Sequence, residues 1–436
     1  MPDDRNITLC LISEIFFPED QGGQGQQAFE LARRLALRGV RVRVITRRNF
    51  PTSARHERLG DVDIARIGPS GLLKGRGWAA LPRTLWFLLA LLVRTWSAAR
   101  ESDAVLVHGA KWILLPVMFA ARLSRRAHAV RHPAGRATTV GVPCIVKIDA
   151  LAELQHDITP ESLARMGLHV QSRVLAPWRR LRSAMLRRAA AIIAISNEIA
   201  AELRARGVEP ARIARIPNGI DLQHWQHARA DKHALRASLQ LPEGVLVICS
   251  GRLARSKGAL SLLDAWVPIA RDRRDAHLVL IGGGARSFDD CETQLRERVR
   301  TQQLDGQVHF IGQVDNVADY LHASDVYVLN SESEGFGLSL VEAMAAGLPC
   351  VATRVSVAPE IIVDGVNSSL IPARGTAALR EGLQAMLDSE QSRRRMAAAA
   401  QAAAVHHFNI DAIVDRYVRL FEQRATPLDQ APVHAA

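Results

Sequence analysis

Short apolar runs recur along the chain, with stretches of helical period between them. Residues 7–12 and 40–46 read as strands on either side of an amphipathic helix over 24–38, and 104–107, 144–148 and 191–195 continue the alternation. A second cycle runs through 245–250, 277–281, 307–310, 325–330 and 350–353. Apolar strands separated by helices predict mostly parallel, doubly wound sheets, so the expected class is α/β with two Rossmann-like domains and a cleft between their facing strand ends. The expected boundaries are 1–217, 218–408 and 409–436, the last a helix that packs back toward the first domain, followed by a tail. Ile216-Pro-Asn-Gly-Ile-Asp221 carries the turn chemistry of a link. Residues 397–404 read as plain helix, and 125–143, rich in Arg, His and Gly, as a mobile basic loop.

Length and charge sharpen this picture. The 436 residues exceed what one core serves, and 48% hydrophobic residues suffice for two. Five widely spaced cysteines, three of them in strand-like runs, fit buried thiols in a reducing compartment, and no zinc pattern is present. Met1-Pro-Asp-Asp lacks the order of a signal peptide, and the apolar run 85–93 is too short to span a bilayer, so a cytoplasmic protein is expected. The net charge of +12 is uneven: residues 1–217 hold 34 Lys and Arg against 18 Asp and Glu, leaving 22 against 26 for the rest. With 5% aromatic residues and no recognisable binding module, nucleic acid is not the expected partner. An anionic membrane surface is the expected use of the excess, since 72–96 and 174–188 mix arginines with tryptophan and leucine as interfacial helices do. The competing reading makes 85–93 a core helix with solvated basic flanks.

Candidate chemistry concentrates in the second half. Ser331-Glu-Ser-Glu-Gly-Phe-Gly-Leu-Ser-Leu-Val-Glu-Ala-Met-Ala-Ala-Gly347 places Glu334 and Glu342 on either side of a Gly-Phe-Gly turn that leads into an apolar helix. The helix N-terminus points its free N–H groups into that turn, where open parallel sheets bind ligands. Leu338, Val341, Glu342 and Ala345 share one face, so Glu342 turns inward, and a buried carboxylate requires donors from the protein or from ligand hydroxyls. Against this stand a solvated Glu334 and a Glu342 paired with a nearby Arg. Ser250-Gly-Arg-Leu-Ala-Arg-Ser-Lys-Gly258 also follows a strand and precedes a helix, which puts Arg252 and Lys257 where two cations suit a diphosphate, or else form a solvated basic turn. Phe17-Pro-Glu-Asp-Gln-Gly-Gly23 and Gly282-Gly-Gly284 occupy equivalent positions but are weaker signals.

Taken together, Gly22-Gly23, Pro217-Asn-Gly-Ile-Asp221, Gly251-Arg252 with Lys257-Gly258, Ile281-Gly-Gly-Gly284, Phe310-Ile-Gly312, Ser324-Asp325 and the paired-glutamate segment closely resemble the retaining GT-B glycosyltransferases of glycosyltransferase family 4, the glycosyl transferases group 1. The resemblance is strong over 245–365 and weaker over 50–190. It implies transfer of a sugar from a nucleoside diphosphate sugar to a saccharide or lipid-linked acceptor with retained configuration, in the synthesis of cell-envelope polysaccharide or glycoconjugate. It also implies that Arg252, Lys257 and Glu334 are catalytic. Gly22, Gly23, Gly335, Phe336, Gly337, Leu338 and Glu342 would bind the donor, Glu334 through sugar hydroxyls and Glu342 through the ribose. No cofactor or metal is expected, because Arg252 and Lys257 supply the positive charge and Asp61-Val-Asp63 reads as a turn. One departure stands out: where many members carry a His after the strand 144–148, this chain has Asp149. Asp149 stands either as a polar substitute or as an N-cap or turn residue, and His108 is a second acceptor-side candidate or a structural His. A sugar-nucleotide 2-epimerase of the same fold and a non-catalytic sugar-nucleotide-binding subunit are the competing functions.

Overall fold

The computed structural model describes residues 7–19, 23–68, 81–109, 111–124, 141–155, 176–227, 231–284 and 289–425. Gly22, residues 72–80 of the first basic apolar segment, Val174 and Leu175 of the second, and nearly all of the 125–143 loop lie outside them. The chain divides into two compact units, Met1–Pro217 with Asp411–Ala436, and Asn218–Ile410.

The first unit is built on eight strands: β1 (Thr8–Ser13), β2 (Arg41–Arg47), β3 (His56–Leu59), β4 (Val62–Ile67), β5 (Ala104–His108), β6 (Cys144–Ile148), β7 (Ala191–Ala194) and β8 (Ile213–Arg215). Their order is β3-β4-β2-β1-β5-β6-β7-β8, parallel throughout except for the antiparallel β3–β4 pair. β1, β5, β6 and β7 are almost wholly buried, as nearly continuous apolar strands covered on both faces must be. β3 and β8 are short, four and three residues, and no periodic pattern announces them. The helix Ile410–Ala425 closes this unit: Tyr417 and Phe421 are buried, and Asp411 and Asp415 accept from Arg34 at 2.8 Å and Arg38 at 2.5 Å on the helix Gly23–Ala36.

The second unit has six parallel strands, β9 (Val245–Ser250), β10 (Ala276–Ile281), β11 (Val308–Gly312), β12 (Val326–Leu329), β13 (Cys350–Thr353) and β14 (Ser369–Ile371), in the order β11-β10-β9-β12-β13-β14. Trp266 on the helix Ala259–Asp272 and Leu295 on Glu292–Thr301 pack a core on one face. The order reverses between β9 and β12, which pair at Val247↔Val326 and Ile248↔Tyr327. Such a reversal leaves a crevice at the carboxyl ends of the two strands, because the loops leaving them turn to opposite faces of the sheet. The loop 251–258 follows β9 and the loop 330–337 follows β12, so both candidate segments converge there.

Candidate active site

The turn that opens the crevice is set by backbone conformation. Gly337 has φ +92°, a left-handed conformation that admits glycine readily, and stands directly before the helix Leu338–Ala345 with no side chain capping that end. The first N–H groups of the helix are therefore left for a ligand. Phe336 is buried edge-on against Phe408, with ring centroids 5.7 Å apart, and Ser356 Oγ donates to the Gly335 carbonyl at 2.8 Å. The Gly335–Gly337 backbone is thereby fixed in place.

Glu334 is not solvated. Its side chain is 12% exposed and accepts from Lys257 Nζ at 2.7 Å and from Ser331 Oγ at 2.6 Å. Behind this pair, Thr353 Oγ1 donates to the Ser331 carbonyl at 2.7 Å, and Asn330 Nδ2 donates to the Gly258 carbonyl at 2.9 Å and to Ser261 Oγ at 2.9 Å. Gly258 is required at that junction: its φ is +68°, and an added Cβ would stand 1.9 Å from the Asn330 carbonyl oxygen. Arg252 lies 3.5 Å from Asp289, which also accepts from Ser256. The two cations thus stand each beside a carboxylate rather than as an open pair.

Glu342 behaves differently. The helix Leu338–Ala345 buries Leu340, Val341, Ala343, Met344 and Ala345, so it is enclosed nearly all round rather than along the single face that the spacing predicts. Within that enclosure Glu342 retains partial surface access, yet dense surroundings push its carboxyl up to about 7. Among the described residues its side chain has no ion pair and no hydrogen bond, and the nearby Arg of the competing reading is not there. One helical turn separates it from Leu338, so it sits roughly 6 Å along the axis from the helix mouth. Beneath the site Tyr327 is fully buried with its hydroxyl 3.4 Å from Ser250 Oγ, and burial together with the Glu334 charge pushes the Cys249 thiol up to about 12.

In the first unit the ends of β5 and β6 bring together a second set of polar groups. Asp149 accepts from Gln24 Nε2 at 3.1 Å and from Lys147, and one of its oxygens lies 3.0 Å from His108 Nδ1, a close charge contact outside hydrogen-bond geometry. Lys147 Nζ also stands 3.0 Å from His108 Nε2. Burial alone would raise the Asp149 carboxyl, but the adjacent His108 and Lys147 hold it below the usual carboxylate range. Burial depresses the imidazole of His108. Asp149 stands in the link between β6 and the helix Leu151–Gln155, and among the described residues its carboxylate accepts from side chains rather than from a helix N–H, while His108 is engaged through Nε2. Lys147 and Gln24 escaped the sequence reading, although a lysine inside the apolar run Cys144-Ile-Val-Lys-Ile148 is a signal in itself, since a buried ammonium needs partners. Ser331, Asn330 and Asp289 carried no such signal. Asp61 and Asp63 flank the start of β4 and face Arg58, at 3.5 and 3.9 Å. Among the described residues no group of three or more His, Cys, Asp or Glu is placed to hold a metal ion.

The family model of the glycosyl transferases group 1 matches residues 231–403, and that of glycosyltransferase family 4 matches residues 21–224. A D-inositol 3-phosphate glycosyltransferase from Streptomyces scabiei is 28% identical over 399 residues, which cover 88% of this chain and 83% of the relative. The lipopolysaccharide core biosynthesis mannosyltransferase LpsB of Rhizobium meliloti is 32% identical over 49% of this chain and 59% of its own length. Among solved structures, a sucrose-phosphate synthase from Thermosynechococcus elongatus superposes with a TM-score of 0.74 at 23% identity, covering 96% of this chain and 98% of that one. HepE from Anabaena, solved in complex with UDP, gives 0.71 at 19% identity over 96% and 100%.

Proposed function

Because the chain belongs to the glycosyltransferase family 4, group 1 enzymes of GT-B fold and is a glycosyltransferase, we propose that it moves a sugar from a nucleoside diphosphate sugar to a saccharide or lipid-linked acceptor, with retention at the anomeric carbon. The observation that carries this reading is the arrangement around the Leu338–Ala345 helix mouth: Glu334 held by Lys257 and Ser331 on one side, and a turn further in Glu342, which has no partner among the described residues. A sugar nucleotide is a dianionic bridge between two polyols. Carboxylates are acceptor-only groups that suit the hydroxyls, and the helix N–H groups suit the bridge. Glu334 then takes sugar hydroxyls, Glu342 takes ribose hydroxyls, and the backbone of Gly335, Phe336, Gly337 and Leu338 lies along the diphosphate, with Gly22 and Gly23 assigned to the donor from the first unit.

Lys257 and Arg252 act on charge that develops on the leaving nucleoside diphosphate. One well-placed donor of this kind contributes about 3–4 kcal/mol to the barrier. With retention, the leaving phosphate itself stands near the attacking acceptor hydroxyl and takes its proton, so no enzymic nucleophile is required. No metal enters this scheme, and turnover should survive chelator unchanged; loss in chelator with recovery on magnesium or manganese would overturn that. On the acceptor side we assign Asp149 to the acceptor hydroxyl and His108 to holding Asp149 in place. The reading as a whole is tested by calorimetry with a panel of nucleotide sugars, followed by product analysis and NMR assignment of the new anomeric centre. An inverted product, or an epimer formed from the donor alone, would sink it.

The same proposal places the first unit on an anionic membrane surface, consistent with a role in cell-envelope polysaccharide or glycoconjugate synthesis. On the helix Leu81–Ala99, Phe87 and Leu91 are buried while Leu85, Trp86, Leu89 and Val93 are 60%, 54%, 62% and 50% exposed, with Phe119, Leu123 and Leu181 exposed on two further helices of the unit. That outer stripe does not pack as a core helix. Among the described residues no helix is long and apolar enough to cross a membrane. Apolar area and neighbouring arginines together suffice for reversible docking, about 1 kcal/mol per basic residue near an anionic leaflet. Flotation with anionic vesicles should be strong at low salt and fade as salt screens it; a protein that stays in solution at low salt refutes docking.

A further inference from the structure

A cavity of about 780 Å³ lies between the helix Leu81–Ala99 and the strands β3 and β4 of the first unit, and none of the polar groups of the two sets described above lines it. One wall is apolar and is made by Trp86, Leu89 and Val93. Arg55, Arg83 and Arg94 contribute guanidinium groups, and His56 lines the cavity as well. Arg66 also reaches the cavity, but it is buried and already satisfied by Glu19 at 2.9 Å and Glu57 at 2.6 Å. The other three are exposed and, among the described residues, have neither an ion pair nor a side-chain hydrogen bond.

Three guanidiniums without a partner among the described residues line one cavity, and a bound anion can pair with them. Phosphate matches the guanidinium fork bidentately and can engage more than one of them. A free sugar phosphate would satisfy the arginines but leave the Trp86–Val93 wall in water. A neutral lipid would cover that wall and leave the arginines unpaired. A ligand with a phosphate head and a hydrocarbon chain satisfies both surfaces at once.

We propose that this groove binds a single phosphate-headed membrane lipid, its phosphate among Arg55, Arg83 and Arg94 and its chain along Trp86, Leu89 and Val93. The proposal deepens the membrane reading and rests on it: docking by charge alone is satisfied by any anionic surface, whereas this groove takes one lipid in a fixed place. Nothing in it involves the residues assigned to sugar transfer.

The test separates the two. The full-length protein is titrated with dihexanoyl phosphatidic acid below its micellar concentration, followed by calorimetry and tryptophan emission, with inorganic phosphate and dihexanoyl phosphatidylcholine as parallel probes. Saturable one-to-one binding is expected, at least tenfold tighter than for either parallel probe. The triple variant Arg55→Ser, Arg83→Ser, Arg94→Ser should lose at least tenfold in affinity. All three side chains are exposed, so its circular dichroism should stay unchanged. Trp86→Phe should retain binding but lose most of the emission change. Absence of saturable binding, equal binding of inorganic phosphate, or a triple variant that binds normally each overturns the groove. Wild-type protein that floats with anionic vesicles yet ignores the short-chain lipid defeats the groove and spares docking; the short-chain lipid bound without any flotation defeats docking and spares the groove.

Discussion

Two glutamates eight positions apart on the same segment have opposite physical situations, and each dictates its own experiment. Glu334 is held by Lys257 and Ser331 before any ligand arrives, so it is preorganised, and its loss should cost rate rather than folding. Glu334→Gln and Lys257→Ala should each lower kcat by roughly two orders of magnitude with thermal stability little changed, since both act on transition-state charge and sugar position. Near-normal turnover in both would end the site assignment. Among the described residues Glu342 has no partner, and burial raises its carboxyl from 4.5 to about 7. A raised folded value means that the fold is favoured with the proton on: stability is full below 4.5 and is lost as pH rises through 7, by about 3 kcal/mol across that window. Free of ligand, Glu342→Gln should therefore gain stability over the parent at pH 8 and gain none at pH 4.5, as read from urea midpoints. The same change should weaken nucleotide binding at pH 8, where the parent carboxylate accepts from hydroxyls, and should remove the fall in nucleotide affinity that the parent suffers as pH drops through 7. A variant that alters stability alone would make Glu342 a structural residue.

At the scale of elements, the reading from sequence succeeds where burial leaves a one-dimensional trace. β1, β5, β6, β9 and β12 are covered on both faces, so their apolar runs are continuous and bounded by turn residues. β3, β8 and β14 are three or four residues long, and the register of their neighbours stabilises them more than their own composition does. The helix Leu338–Ala345 was legible in position, but its face was not, because a helix enclosed nearly all round carries no polar stripe to orient it. Lys257 with Glu334, and Gly258 with Asn330, lie far apart in sequence and meet because β9 and β12 are sheet neighbours. No local pattern encodes that meeting. Gly258 makes it testable. Its left-handed conformation and the 1.9 Å approach to the Asn330 carbonyl that a Cβ would make leave Gly258→Ala no room without displacing the loop that carries Lys257. The variant should lose stability and drop turnover at least tenfold, and it should do so even though alanine adds no charge. Unchanged kcat/KM would show that the Lys257 loop is not held from β12.

At the scale of the whole molecule, chain order and structural order differ, and the difference predicts which half stands alone. The second unit is one continuous segment, Asn218–Ile410, with its own buried core around Trp266 and with every residue of the Lys257–Glu334–Glu342 site inside it. The first unit is not continuous. It takes Asp411–Ala436 from the far end of the chain, and the contribution is structural. Val414, Tyr417 and Phe421 are buried, Asp411 and Asp415 pair with Arg34 and Arg38, and Arg424 donates to the Ala211 carbonyl at 2.9 Å. Removing that helix deletes three buried side chains and uncovers the apolar surface they pack on, a loss of about 1.5–3 kcal/mol for each, against a net stability of roughly 5–15 kcal/mol for a domain of this kind. Residues 218–410 expressed alone should therefore fold cooperatively and bind nucleoside diphosphate with an affinity near that of the full chain. Residues 1–217 alone should be unfolded or aggregated, and joining 411–425 to them through a flexible linker should restore a cooperative transition. Soluble, cooperatively folding 1–217 would show that the terminal helix is dispensable. Residues 218–410 that fold but fail to bind nucleotide would show that the donor site draws essential contacts from the other unit, the Gly22–Gly23 turn first among them.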